Sequence, residues 1–120
     1  MPFYHATRRS RLPSIMSIGL RGSEEQNFEC EAGVYLARSP IIAWYFLLED
    51  LIERMDDSTS PSGEMADFIV IVVDDSRVEA ARLRPDPNVE GRWQDELHLY
   101  DGIIDVRGMP ILDADMLFPA

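Results

Sequence analysis

The sequence predicts an α+β fold with a mostly antiparallel sheet and two main helices, on three observations. Residues 68–73, FIVIVV, form an almost unbroken β-branched run of the kind found in a central strand buried on both faces. Two strand-then-helix units precede it, over 3–18 and 33–55. Short alternating segments follow it, so the order is βα, βα and then strands. A chain of 120 residues, 46% of them hydrophobic, fits one domain over 1–120 and is not the composition of a disordered segment.

The elements follow from local chemistry. Residues 3–6 (FYHA) read as the first strand. Ser10 is placed to cap a helix over 11–18, with Pro13 tolerated in the first turn and Leu12, Ile15 and Met16 at helical spacing. Gly19 is a natural stop where the chain needs positive φ. Residues 21–32 are polar, acidic and non-periodic, hence a loop. Gly33 opens a second strand, VYLA at 34–37, and Ser39-Pro40 supplies a cap and a first-turn proline for a helix running to about Met55. That helix is apolar around most of its circumference at first, then amphipathic with Glu49, Asp50, Glu53 and Arg54 outward. Residues 56–64 form a hydrophilic loop. Residues 78–83 are strand or turn, and 84–92, with two prolines, form another loop. The segment 96–100 alternates, Asp101-Gly102 reads as a hairpin turn, and 103–106 returns. Residues 111–112 and 116–118 pack a short terminal segment.

Charge narrows the function classes. There are 22 Asp and Glu against 11 cations, a net charge of −11, and every cation is Arg. That balance disfavours an extended nucleic-acid surface, because each backbone phosphate contact needs a placed cation. Without Lys there is no Schiff-base lysine and no P-loop lysine. One cysteine, Cys30, excludes an intramolecular disulfide, and with only His5 and His98 beside it no metal site is expected. Arg8, Arg9 and Arg11 interrupt the N-terminal segment, so no secretory apolar region is read there. The longest apolar stretch, 41–48, is too short to span a bilayer, and a cytoplasmic setting is expected.

Three features stand out from this background. His5 lies on the first strand. Tyr35 lies in GVYLA, before a helix carrying Trp44 and Tyr45. Glu96 opens the segment ELHLYD. Singly, each has an ordinary reading: a packed histidine, core aromatics and a solvated strand end. Together, YHATRRSRLPSIMSIGL, GVYLARSPIIAWYF and ELHLYDGIIDV resemble the ADP-ribosyltransferase superfamily in its histidine–tyrosine–glutamate branch. That branch includes diphtheria-toxin-like and poly(ADP-ribose) polymerase-like catalytic domains. The first block also looks like RNA 2′-phosphotransferases, with a His-x-Thr strand, a helix and a Gly-Leu stop.

The resemblance implies a single catalytic domain with an NAD cleft, transferring one ADP-ribose from NAD+ to an acceptor and releasing nicotinamide. It implies His5 on the adenine-side ribose, Thr7 as a second hydroxyl contact and the main chain of Ala6 on the carboxamide. Ala6 stands where most polymerase-like members have Gly. Tyr35 stacks on the nicotinamide with Tyr45 or, second to it, Trp44 on the other side. Glu96 binds the 2′-hydroxyl of the nicotinamide ribose and stabilises the oxocarbenium-like cation. Arg8, with Arg9 and Arg11 as neighbours, is the candidate for the pyrophosphate. Gln94 is read as a surface residue, and Cys30, lacking a cationic neighbourhood, as unreactive. The role implied is that of a toxin or effector, with an antitoxin or inhibitor among the implied partners; the acceptor class, protein, nucleic acid or small molecule, stays open. The alternatives are NAD-dependent RNA 2′-phosphate transfer and a non-catalytic module of the same fold that binds NAD+ or ADP-ribose.

Overall fold

The computed structural model describes residues 1–21, 33–54, 62–86 and 93–119. The β-branched run forms β4 (Phe68–Val73), and Phe68, Ile69, Val70, Ile71 and Val73 are each no more than 1% exposed. It is buried because both edges and both faces are covered. Along one edge it pairs antiparallel with the whole of β1 (Phe3–Arg8), and along the other with β8 (Ile111–Asp113). Beyond β1 lie β3 (Val34–Ala37), β6 (Leu97–Tyr100) and β5 (Leu83–Pro85), giving the order β5-β6-β3-β1-β4-β8. A separate two-stranded ribbon joins β2 (Leu20–Arg21) to β7 (Ile103–Ile104).

Strand alternation sorts the side chains into two cores. Phe3, Val34, Leu36, Ile69, Ile71 and Val73 point to one face, where α1 (Leu12–Ile18) and the ribbon bring Ile15, Leu20 and Ile104 against them. On the other face Ala37, Phe68, Val70 and Leu97 meet Ala43, Trp44 and Leu51 of α2 (Pro40–Arg54). Single helical turns, α3 (Ser62–Met65), α4 (Trp93–Glu96) and α5 (Ala114–Leu117), precede β4, precede β6 and follow β8.

Several local expectations hold for the reasons given. The Ile42 N–H donates to Ser39 Oγ at 3.4 Å, the Ala43 N–H to the Ser39 carbonyl at 3.1 Å, and Pro40 is the first helical residue. Gly19 sits at φ 90°, and a Cβ there would lie 2.5 Å from Ile103 Cγ2, so the residue must be both left-handed and small.

Others are corrected. Ser10 does not cap α1; its hydroxyl donates to Asp67 Oδ2 at 2.9 Å, a tie to the residue before β4 that outcompetes the local cap. The first strand runs on to Arg8 because β4 offers partners that far. Asp101-Gly102 does not close a hairpin. Both edges of β6 are already taken, by β3 and β5, so the chain leaves the sheet and β7 pairs with β2 instead. The stretch 78–83 resolves into a helical turn at Ala80–Arg82 and the start of β5, whose last residue is Pro85. Residues 62–64, read as loop, belong to α3, and Glu96 ends the turn α4 rather than opening β6. The remaining parts of the three predicted loops, 22–32, 56–61 and 87–92, lie outside the described residues, as do Cys30 and the expected helix end at Met55.

Candidate functional site

The six-stranded sheet is incompletely joined in its middle. Whereas β1 pairs with β4 at every residue from Phe3 to Arg8, its pairing with β3 is confined to Tyr4↔Ala37. Past that point the two strands diverge, and a side chain takes over from the ladder: His5 Nδ1 lies 2.7 Å from the Tyr35 carbonyl oxygen. A carbonyl only accepts, so Nδ1 carries the proton and donates. The tautomer is thereby set, and Nε2 is left as the acceptor nitrogen.

The main chain of Ala6 faces the same gap. Val72 N–H donates to the Pro110 carbonyl on the β8 side, and Arg9 N–H donates to Asp67 O at the β1–β4 junction. By alternation, Phe3, His5 and Thr7 turn their main-chain groups to β4, while Tyr4, Ala6 and Arg8 turn theirs to β3. Ala6 therefore presents an N–H and a C=O towards β3 one residue beyond His5, where the paired ladder has ended.

The predicted side chains divide over this gap. His5 and Thr7 share one face of β1; both are largely covered, Thr7 being 8% exposed. Tyr35 points to the α2 face, and its ring stacks on Phe46 with centroids 5.3 Å apart and planes at 29°. Tyr45 does not cover Tyr35. It is turned away, half exposed, and its ring meets Trp44 and Phe118 edge-on. Trp44 is 4% exposed in the α2 core against Phe68. Arg8 lies on the α2 side of β1 with its guanidinium carbon 5.8 Å from the Phe68 ring centre, while Arg9 and Arg11 are exposed in the turn that follows β1.

Glu96, the last residue of α4, directly precedes β6, the strand next to Tyr35, and stands in another row. Leu97 pairs with Ala37, so Glu96 stands beside Arg38, whose N–H donates to the Glu96 carbonyl at 2.9 Å. Tyr35 pairs with Leu99, three rows on, about 10 Å along the strand at ~3.3 Å per residue. His5 and Tyr35 thus occupy the adjacent strands β1 and β3, joined through the Tyr35 carbonyl with their side chains on opposite faces of the sheet, and Glu96 lies at the end of α4, just before β6.

Sequence reasoning passed over the surroundings of Glu96. The Arg38 guanidinium lies 3.8 Å over the Phe3 ring and donates to the Met1 carbonyl at 3.3 Å. His98 meets the Phe3 edge at 5.6 Å, and its Nδ1 finds no hydrogen-bond partner among the described residues. Burial first, then the Arg38 charge, push the His98 pKa down, against the opposing pull of Asp95 and Glu96. The only available signal was that His98 and Arg38 become neighbours once β3 and β6 are paired. Phe46 was passed over for a different reason, the phase of α2. Among the described residues no group of three His, Cys, Asp or Glu could hold a metal ion, and no helix is long and apolar enough to cross a membrane.

Burial also outweighs the Tyr35 bond at His5 and lowers its pKa below the ordinary 6.5. The unfolded chain therefore takes up this proton before the folded one. The corresponding stability is complete above about pH 6.5 and is lost as pH falls through the lowered folded value. His5→Asn is expected to make urea stability less sensitive to the step from pH 7 to pH 5 than in the parent. Comparing the two slopes separates His5 from the carboxylates, and identical slopes would refute the assignment.

Compared with family models, curated proteins and solved structures, the chain matches none.

Proposed function

We propose that the chain is a mono-ADP-ribosyltransferase that takes NAD+ as donor substrate. The observation that carries this reading is the His5–Tyr35 bond across the gap between β1 and β3, with the Ala6 main chain turned into that gap. A neutral imidazole with Nε2 as acceptor suits a ribose hydroxyl, which donates. An N–H and a C=O on one residue suit a carboxamide, which accepts and donates. Tyr35 supplies the aromatic face for the nicotinamide, and Phe46 takes the place assigned to Tyr45. The Tyr35 and Phe46 rings touch each other, and a ring between them needs about 7 Å, twice the ~3.5 Å contact distance. Nicotinamide entry thus displaces Phe46 outward. The exposed Arg9 and Arg11, where the chain leaves β1, suit the pyrophosphate better than Arg8, which lies over Phe68.

In the reaction the bond between C1′ of the nicotinamide ribose and the pyridine nitrogen breaks, and its electron pair leaves with neutral nicotinamide. The acceptor's nucleophile bonds to C1′ and gives up its proton. Glu96 contributes a carboxylate to the cationic ribose and to the 2′-hydroxyl. The three-row spacing from Tyr35 is one that a ribose and the Glu96 side chain bridge together. The test is release of free nicotinamide from NAD+, with and without cell lysate as acceptor source. Absence of turnover under both conditions would defeat the proposal. Removal of 2′-phosphate from a splice-junction RNA would select the phosphotransferase alternative, and NAD+ binding without turnover the non-catalytic one.

A further inference from the structure

We propose that the outer face of α2 docks an amphipathic helix of a cationic partner protein. Ile41, Tyr45, Leu48 and Ile52 succeed one another at spacings of four, three and four residues. At about 100° per residue this keeps all four within an arc of roughly 60°, running about 17 Å along the helix. Ile41, Tyr45 and Ile52 are 43%, 49% and 53% exposed. Ala43, Trp44 and Leu51, at about 70–170° round α2 from the centre of the stripe, already bury their apolar surface on the sheet. Ile41, Tyr45 and Ile52 are therefore additional to what the fold requires, while Leu48, between them, is partly buried against the core. Phe118, 39% exposed and edge-on to Tyr45 at 6.0 Å, widens the stripe on one side. A 4-3-4 spacing is the seam into which the side chains of a second helix interdigitate.

Charge selects the occupant. Glu49 is exposed at the edge of the stripe, and Asp115 is exposed on α5, three residues before Phe118. Two copies of this chain laid stripe to stripe would oppose −11 with −11. A helix with its own apolar seam, flanked by Lys or Arg, satisfies both the seam and its acidic border. The proposal does not depend on the NAD+ reading, since none of the four stripe residues faces the gap between β1 and β3.

The test uses the full chain and synthetic helices of about 20 residues, about two turns longer than the stripe. One carries Leu at 4-3-4 spacing and Lys elsewhere, one has the same composition in scrambled order, and one has Glu in place of Lys. Binding by fluorescence anisotropy at physiological salt is expected for the patterned Lys peptide alone. The double substitution Ile41→Glu with Ile52→Glu is expected to weaken it by about tenfold or more. Both positions are exposed, so the variant folds, and far-ultraviolet circular dichroism checks that it has. Equal binding by the scrambled peptide would reduce the effect to charge alone and overturn the proposal. So would patterned binding that survives the double substitution, absence of binding, or a parent chain whose sedimentation shows a dimer that the substitutions abolish.

Discussion

Glu96→Gln is expected to lower the rate of nicotinamide release by about 10²–10³-fold while leaving KM for NAD+ within a few-fold of the parent. The asymmetry follows from where the charge is needed. Gln keeps the size of Glu and can still hydrogen-bond a ribose hydroxyl, so the ground state loses little. What it lacks is the negative charge, which acts most strongly when the ribose becomes cationic in the transition state. The main chain at this position is fixed independently of the side chain, through the Arg38 N–H bond to the Glu96 carbonyl and the Ala37↔Leu97 pairing that follows. A loss of rate therefore does not come from a displaced strand. Steady-state nicotinamide release by both proteins measures the effect. Equal rates would remove Glu96 from the chemistry, and a raised KM at unchanged kcat would make it a binding residue only.

Phe68→Ala is expected to cost about 3–5 kcal/mol and to lower Tm by about 10–20 °C. Phe68 is 1% exposed at the start of β4, edge-on to Trp44 at 5.6 Å and beneath the Arg8 guanidinium. Its removal leaves a cavity lined by a helix and a strand that are each held elsewhere, so collapse is limited. Domains of this size have only some 5–15 kcal/mol of stability, and the loss is a large share of it. Phe118→Ala serves as the comparison, because Phe118 stands 39% exposed on the same Trp44 ring at 5.0 Å. Thermal and urea unfolding of both variants provide the measurement. A Phe68→Ala cost no greater than that of Phe118→Ala would mean that α2 is not anchored through this contact.

The parts of the fold legible in the sequence are those where one local property decides. An uninterrupted β-branched run has no stable place except between two covered faces, and β4 is there. Ser39-Pro40 starts α2 because capping and a fixed φ act within one turn. Legibility stops where a distant partner decides. Ser10 had a helix to cap and bonded to Asp67 instead. Asp101-Gly102 had hairpin chemistry, but β6 had no edge left to offer. The same holds at the candidate site. His5, Tyr35 and Glu96 could be singled out by type and order; His5 and Tyr35 fall on the adjacent strands β1 and β3, and Glu96 ends α4 just before β6. The link between His5 and Tyr35, however, runs through a main-chain carbonyl, which no residue type announces. The choice between Tyr45 and Phe46 turns on about 100° of helix phase, which depends on the side from which β3 approaches.

The ends of the sheet bear on how the protein behaves in concentrated solution. At β5, Asp86 N–H donates to the Leu97 carbonyl and Asp101 N–H to the Arg82 carbonyl, so the intervening alternation turns the nitrogen of Pro85 away from β6. That outward nitrogen carries no hydrogen, and a foreign strand arriving there finds a missing donor. At the opposite end β8 is three residues long and runs directly into α5, whose first turn is tied by the Met116 N–H bond to Asp113 Oδ1 at 3.1 Å. Neither margin offers the long, flat row of open main-chain groups from which fibres grow. With a sheet closed to polymerisation at both ends, the apolar surface on α2 can stay exposed without seeding aggregation by strand addition.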